Sequence, residues 1–600
     1  MTDAQRVPLR EEIPAEYTWD LSPVYANDAA WEAHIAQLEA QLPAAAALQG
    51  TLGQGAAALL SALQTRDELE KQLWQIYIYA GRRYDANTSD STGQALSERA
   101  GSLVARVSAA LAFIEPEILS LADDQIAEWL RTTPALQLYE YALQRLAAQR
   151  AHVRSAEIEG ILAEFNDVTR APGEIFEVLT TADLVFPSIE DDQGQTFPLS
   201  HARYGRLLES HDRRVRRDTF KNYYSGFHSI RNTLGTTLAA EIRSHTLNAR
   251  LRGYGSALEA ALQPNDIPID VYHNLISTVN ANLPRLHRYM KVRRKLMGLD
   301  KLHIYDLYVT LAPSADVEVP YAEGSRIVAE AFRPLGADYG AVINQSFRSR
   351  WIDVYENQGK RSGAYSDGAY TTAPFILLNY QDRLRDVFTL AHELGHSMHS
   401  YFTRRTQPFI YGNYTIFVAE VASTLNEALL TDYLLKTRDD PVLRKYLVVQ
   451  QLEDIRTTLF RQTMFAEFEL DMHRRVEVGE PLTADSLSKP YYDLVARYHG
   501  PEVTLDDEIA LEWGRIPHFY YNFYVYQYST GVSAALALSK QLLSKGQPVV
   551  DRYLTFLSSG SSRSSIELLR TAGVDMASPA PIQAAMDTFD TLLTELEEME

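Results

Sequence analysis

Apolar residues recur at helical spacing along most of this chain. The alanine- and leucine-rich run 29–63 and the charged amphipathic stretch 139–164 both carry the 3.6-residue period of helices that bury one face. Between 184 and 197 the text LVFPSIEDDQGQTF sets β-branched and aromatic residues around an Asp/Gln/Gly turn, which predicts a hairpin and marks a boundary between a helical lobe at 1–200 and the rest of the chain at 201–600. Helical pattern resumes over 201–262, where Arg213, Arg214, Arg216 and Arg217 read as a solvated face. Two β-like segments follow, LHIYDLYVTL at 302–311 and the glycine- and tyrosine-rich 351–380, and the second predicts a small sheet. Everything after Asp382 reads helical apart from a loop near His499, Gly500 and Pro501. The fold class expected is therefore mainly α, with a small sheet just before the helix that starts near Arg383.

Size and charge narrow the classes. At 600 residues the chain exceeds what one core usually fills, so two or more lobes are expected. With 46% hydrophobic and 22% charged residues the composition is that of an ordinary soluble globular protein. The formal charge of −21 repels phosphate backbones and anionic lipid head groups, which argues against nucleic acid and membrane surfaces as partners. The opening MTDAQRVPLREEIPAEYTWD has acidic residues and prolines where a cleaved leader needs a basic patch and an apolar run, so a cytoplasmic protein is expected. The stretch 516–539 has no charged residue apart from the titratable His518, but five tyrosines, Asn522 and Gln527 make it too polar to face lipid. It reads as a buried helix facing a cavity. There is no cysteine, so any metal must be held by His, Asp or Glu.

One segment supplies such ligands. TLAHELGHSMHS at 389–400 contains H-E-x-x-H at His392, Glu393 and His396. Residues four apart on a helix share a face, so two imidazoles can converge on one tetrahedral ion, and Glu393 beside it can take a proton from a water acidified by the metal. With 15 His and 78 acidic residues, chance would give about 0.05 matches to H-[DE]-x-x-H per chain. A third protein ligand is needed. One class of these enzymes places a His six residues after the second histidine and a Gly three after it; here those positions are Phe402 and His399, which excludes it. His399 itself lies roughly 10 Å along the helix from His392 and cannot close the site; a helix-surface or substrate-facing role is expected for it. The remaining option is a glutamate from a second helix. In YTIFVAEVASTLNEALLTDYLL at 414–435, Glu420 and Glu427 are the only acidic residues before Asp432, and two carboxylates on an apolar face need neutralising. Glu420 is assigned as the ligand. Glu427 either orients a ligand imidazole or is an ordinary carboxylate meeting an arginine.

Taken together, AHELGHSMHSYF at 391–402, FVAEVASTLNE at 417–427, GKRSGAYSDGAY with PFILLNY at 359–380, IPHFYYNFYVYQYSTG at 516–531, LHIYDLYV at 302–309 and TWDLSPVY at 18–25 resemble the thimet oligopeptidase-like family of zinc peptidases, and within it the bacterial oligoendopeptidase F branch. The resemblance implies one Zn2+ held by His392, His396 and Glu420, with Glu393 as general base. It also implies a two-lobed helical clamshell whose long interior channel admits oligopeptides. In related enzymes a histidine followed by tyrosines binds the substrate carbonyl and the oxyanion. Here that implies His518, Tyr528 and Tyr521, with Tyr521, Tyr524 and Tyr528 spaced to share one helix face. Residues 363–373 offer a strand edge to which an extended peptide backbone could add.

The function expected is hydrolysis of internal bonds in short unstructured peptides. Two alternatives stand beside it. A carboxypeptidase or dipeptidase would need a cationic clamp such as Arg361 or Arg497, and a catalytically silent peptide-binding relative would have no chemical need for Glu393.

Overall fold

The computed structural model describes residues 6–312 and 317–599, and helices dominate them, with 72% helix against 4% strand. The chain folds as two compact units, each made of three stretches of sequence. The first takes Met1–Arg150, Asp316–Lys436 and Leu538–Gly573; the second takes Ala151–Ala315, Thr437–Ala537 and Val574–Glu600. Residue 200, where the sequence pattern places a boundary, lies inside the second.

The first unit begins with helices wrapped around Trp31, Ile35, Leu38, Leu59, Leu63, Leu73, all buried in one apolar cluster. The run 29–63 is broken: Asp28–Glu39 is followed by the short Leu42–Ala46, and a new helix, Ala56–Ala86, starts after it. Gly50 and Gly55, with φ of +79° and +153°, supply the conformations that interrupt the helical period. The expected sheet is present, built from β4 (Ile352–Tyr355), β5 (Tyr365–Asp367) and β6 (Phe375–Tyr380) once β1 to β3 are numbered in the second unit. β6 is central, parallel to β4 and antiparallel to β5. Its near-continuous apolar run, Phe375 to Leu378, is buried on both faces, as a central strand should be. The helix Leu384–Thr406 packs on this sheet, and the helix Ile416–Thr437 packs on that helix.

In the second unit the predicted hairpin forms from β1 (Ser188–Glu190) and β2 (Thr196–Pro198), paired antiparallel. The segment 302–311 departs from its β reading. Only β3 (Leu302–His303) is extended, paired parallel to β7 (Val503–Thr504), and a 3-10 turn follows at Ile304–Asp306. The cause is Asp306, whose carboxylate accepts the His303 amide at 3.0 Å and folds the chain back on itself. That fully buried carboxylate also corrects the reading of the arginine run. Arg216 and Arg213 each pair with Asp306 at 2.8 Å, while Arg214 caps the hairpin carbonyls of Glu190 and Asp191. Of the four, Arg217 is left to an exposed pair with Asp218.

A second buried carboxylate in this unit is paired with two arginines. Glu512 is 1% exposed and is met by Arg461, by Arg515 at 2.8 Å and by the Tyr491 hydroxyl at 2.7 Å. Burial pushes its pKa up, but the two guanidiniums outweigh that and hold it down at about 2. Protonation therefore costs the folded state more than the unfolded one, whose Glu titrates near 4.3. The stabilisation is complete above about pH 4.5 and is lost as pH falls towards 2. Glu512→Gln is expected to destabilise the protein by about 3 kcal/mol at pH 7 and to flatten the dependence of the urea midpoint on pH between 5 and 3. An unchanged slope in that window would assign the acid sensitivity elsewhere.

Among the described residues no helix is long and apolar enough to cross a membrane. The stretch 516–539 is not one helix. Pro517–Tyr520 is a 3-10 turn, residues 521–525 are irregular, and the helix Tyr526–Lys545 begins only then.

Candidate metal centre

His392 and His396 sit one turn apart on Leu384–Thr406, whose other face buries Leu384, Val387, Leu390, Ala391, Leu394 and Met398. The helix starts where Asp386 turns back to accept the amides of Arg383 at 3.0 Å and Gln381 at 2.9 Å. Glu420 comes from Ile416–Thr437, and the two helices touch backbone to backbone at Gly395. A Cβ there would lie 2.5 Å from the Ser423 Cα and 2.6 Å from the Ala422 carbonyl oxygen. Only glycine permits this approach, so the residue inside H-E-L-G-H governs the reach of Glu420. Asn426 ties the pair further, donating to the Ala391 carbonyl at 3.1 Å and accepting from the Tyr339 hydroxyl at 2.9 Å.

Three donor atoms converge as a result. His392 Nε2 and His396 Nε2 are 3.2 Å apart, and Glu420 Oε2 lies 3.3 Å from the first and 3.5 Å from the second. A tetrahedral ion with arms of about 2.0–2.1 Å needs donors about 3.3–3.4 Å apart, which this triangle matches. Among the described residues it is the one group of three His or acidic side chains with that geometry. His392 Nδ1 lies 3.0 Å from Glu427 Oε1, so a proton on Nδ1 leaves the Nε2 lone pair facing the centre. Ser423 donates to Glu420 Oε2 at 2.8 Å. The His396 ring is held by the Ala419 backbone.

Burial lowers the His392 pKa, but Glu420 and Glu427 outweigh it and push it up to about 10. Burial also raises Glu420, and His392 with His396 bring it down to about 2. His396, disfavoured as a cation by burial and by its neighbour, falls to about 4. One proton on His392 would offset only part of the charge of Glu420 and Glu427, and a divalent cation held at the same Nε2 would displace it.

Glu393 stands apart from the donor triangle. It is 7% exposed, burial pushes its pKa up to about 7, and its Oε2 has no hydrogen-bond partner. The Ser366 backbone of β5 reaches its carboxyl, and the Ser366 and Ser397 hydroxyls meet at 2.7 Å. This puts the edge strand of the sheet, within the candidate stretch 363–373, against the helix Leu384–Thr406. β5 pairs only with β6, so its outer edge carries no strand among the described residues. His399 is neither on the surface nor facing a substrate: it is 1% exposed and lies flat on Tyr414 at 3.6 Å between ring centroids.

His518, Tyr521 and Tyr528 belong to the second unit, and they come together there by a different route from the shared helix face that spacing predicts. The His518 ring lies 5.6 Å from Tyr521, 6.1 Å from Tyr524 and 5.9 Å from Tyr528, and the Tyr528 hydroxyl is 3.5 Å from His518 Nε2. Burial lowers the His518 pKa. Sequence reasoning missed Gly395, Ser423 and Asn426; the first is inside the motif, but its contact is visible only once the second helix is placed.

Residues 206–588 match the family model described as peptidase family M3, and residues 117–186 match the model described as oligopeptidase F. The chain is 45% identical to oligopeptidase PepF of Bacillus subtilis, over 99% of this chain and 89% of that protein. It is 39% identical to the group B oligopeptidase PepB of Streptococcus agalactiae, over 98% of both. Among solved structures, oligoendopeptidase-F from Enterococcus faecium superposes with a TM-score of 0.73 at 42% identity, over 95% of this chain and 99% of that one. A peptidase from Chlamydophila abortus superposes with a TM-score of 0.94 at 36% identity, over 99% and 100%.

Proposed function

Because the chain belongs to peptidase family M3, and is therefore a metallo-oligopeptidase, we propose that it is a zinc endopeptidase cutting internal bonds of short unstructured peptides. The observation that carries this reading is the triangle of His392, His396 and Glu420 with the unpartnered Glu393 carboxylate beside it.

The three donors would hold the metal, and two imidazoles with one carboxylate suit zinc. Bound by these three donors, zinc would supply Lewis acidity to the scissile carbonyl and to an attacking water. The protein's own groups do the rest. Glu393 accepts the proton of the attacking water and returns it to the leaving amine, a task suited to a carboxyl held near neutrality by burial. Glu427 fixes the tautomer of His392. The free edge of β5 binds the substrate backbone, which gives affinity without demanding particular side chains. His518, Tyr528 and Tyr521 donate to the carbonyl oxygen as it becomes an oxyanion; their convergence within the second unit and the family resemblance support that role. We also propose a cytoplasmic location, and a division into modules at 1–200 and 201–600, which the two family matches flank.

The two arginines named for the exopeptidase alternative are already engaged. Arg361 pairs with Asp85 at 3.1 Å and Arg497 with Glu467 at 2.5 Å. Digestion of a mixed-length peptide library, with and without a chelator and with zinc measured by elemental analysis, tests the proposal. Internal cuts in short members, abolished by chelation, are expected. Single-residue losses from one end would replace the endopeptidase reading, and chelator-resistant cleavage would remove the metal from it.

A further inference from the structure

We propose that Glu469 is a positioning residue, whose carboxylate holds a left-handed turn at 522–523 and through it the convergence of His518, Tyr521, Tyr524 and Tyr528; this rests on the oxyanion role proposed for that cluster. Asn522 and Phe523 have φ of +45° and +59°. Left-handed backbone is sterically unfavourable for a residue with a side chain, and two such residues in succession persist only where surrounding contacts enforce them. The helix Arg461–Glu477 supplies those contacts. Glu469, fully buried, accepts the Phe523 amide on Oε1 at 2.6 Å, across 54 residues of sequence, while its Oε2 has no partner. The Phe523 ring is 2% exposed and rests on His473 at 4.3 Å and edge-on to Tyr272 at 5.6 Å. Both partners are anchored to the same helix, His473 through the Glu469 carbonyl at 2.9 Å and Tyr272 through the Ala466 carbonyl at 2.7 Å.

The turn is what lets the rings meet. On a continuous helix residues 518 and 528 would be about 15 Å apart along the axis. Here the chain reverses between Pro517–Tyr520 and Tyr526–Lys545, and Tyr528 reaches to 3.5 Å from His518. Packing alone does not call for an acid at 469. A buried carboxyl with one unmet oxygen is costly, and an apolar side chain would fill the same space more cheaply. What an apolar residue cannot do is satisfy the Phe523 amide, which the left-handed turn directs into the core.

The test uses the full-length metal-loaded enzyme and a quenched peptide. Glu469→Leu is expected to lower kcat by about 10- to 100-fold, the scale of loss for misplacing catalytic groups by about 1 Å, with unchanged metal content. Glu469→Asp, which keeps a carboxyl but falls short of the amide, should lose comparably and serves if the leucine variant does not fold. Glu469→Gln, whose carbonyl oxygen can still accept the amide, should recover most of the loss. In a His518→Ala background the further loss from Glu469→Asp should shrink to less than about threefold, because residues acting as one unit are not additive. If His518→Ala lowers kcat but Glu469→Asp does not, positioning by Glu469 is overturned and the cluster's role stands. An equal loss in Glu469→Gln, or an undiminished loss in the His518→Ala background, also overturns it. A His518→Ala variant with normal kcat overturns the oxyanion role and the inference built on it.

Discussion

Glu393→Gln is expected to bind a full complement of metal and to lose at least ~10²-fold in kcat. The separation of the two readouts follows from geometry. The donor triangle is complete with His392, His396 and Glu420, and no oxygen of Glu393 belongs to it. Glutamine has the same shape, so the helix, the Ser366 contact and the helix pairing at Gly395 are preserved. What disappears is the capacity to accept a proton. The buried, unpartnered Oε2 is free for that purpose in the native protein, and its burial is also what brings the carboxyl towards neutrality. Loss of turnover with metal retained identifies Glu393 as the base. Near-normal turnover would move proton transfer to another group, and a simultaneous loss of metal would make Glu393 part of the binding set.

The donor triangle is largely legible in the sequence because it obeys local rules. His392 and His396 follow from the helical period, and Glu420 stands out as a carboxylate on a helix that is otherwise apolar or small. The small sheet could be read from glycine spacing and the apolar run before Asp382. The features that were hidden depend on partners distant in sequence. Arg213 and Arg216 look like a solvated face until Asp306, 93 and 90 residues away, is placed among them. The alternation in 302–311 looks like a strand until the same Asp306 folds it into a turn. The stretch 516–528 looks like one helix because no glycine or proline marks the reversal at 522–523; Asn522 is the sole local hint, and the enforcing group is Glu469 on another helix. The two compact units were hidden for the same reason, since each is assembled from three separated stretches.

The largest effect on metal binding is expected from Glu420→Ala, which should purify without metal and fail to regain it after dialysis against micromolar zinc. Removing this side chain leaves two imidazoles on one helix, and the centre loses both a donor and the negative charge that offsets the cation. Two companions separate ligation from support. Glu427→Ala removes a partner of His392 Nδ1 but no donor from the triangle, so affinity should fall by about 10- to 100-fold while the site remains able to load at high zinc. Gly395→Ala leaves every donor in place and inserts a methyl group 2.5 Å from the Ser423 Cα. Overpacking of this kind costs about 1–3 kcal/mol, and here the strain is relieved by moving Glu420 away from the histidines, so affinity and stability should fall together. Elemental analysis of the three variants orders them by metal retained at low zinc, with Glu420→Ala last. A full metal complement in Glu420→Ala would mean that the third ligand is another side chain, and the first to examine would be Glu427, whose carboxylate already faces His392.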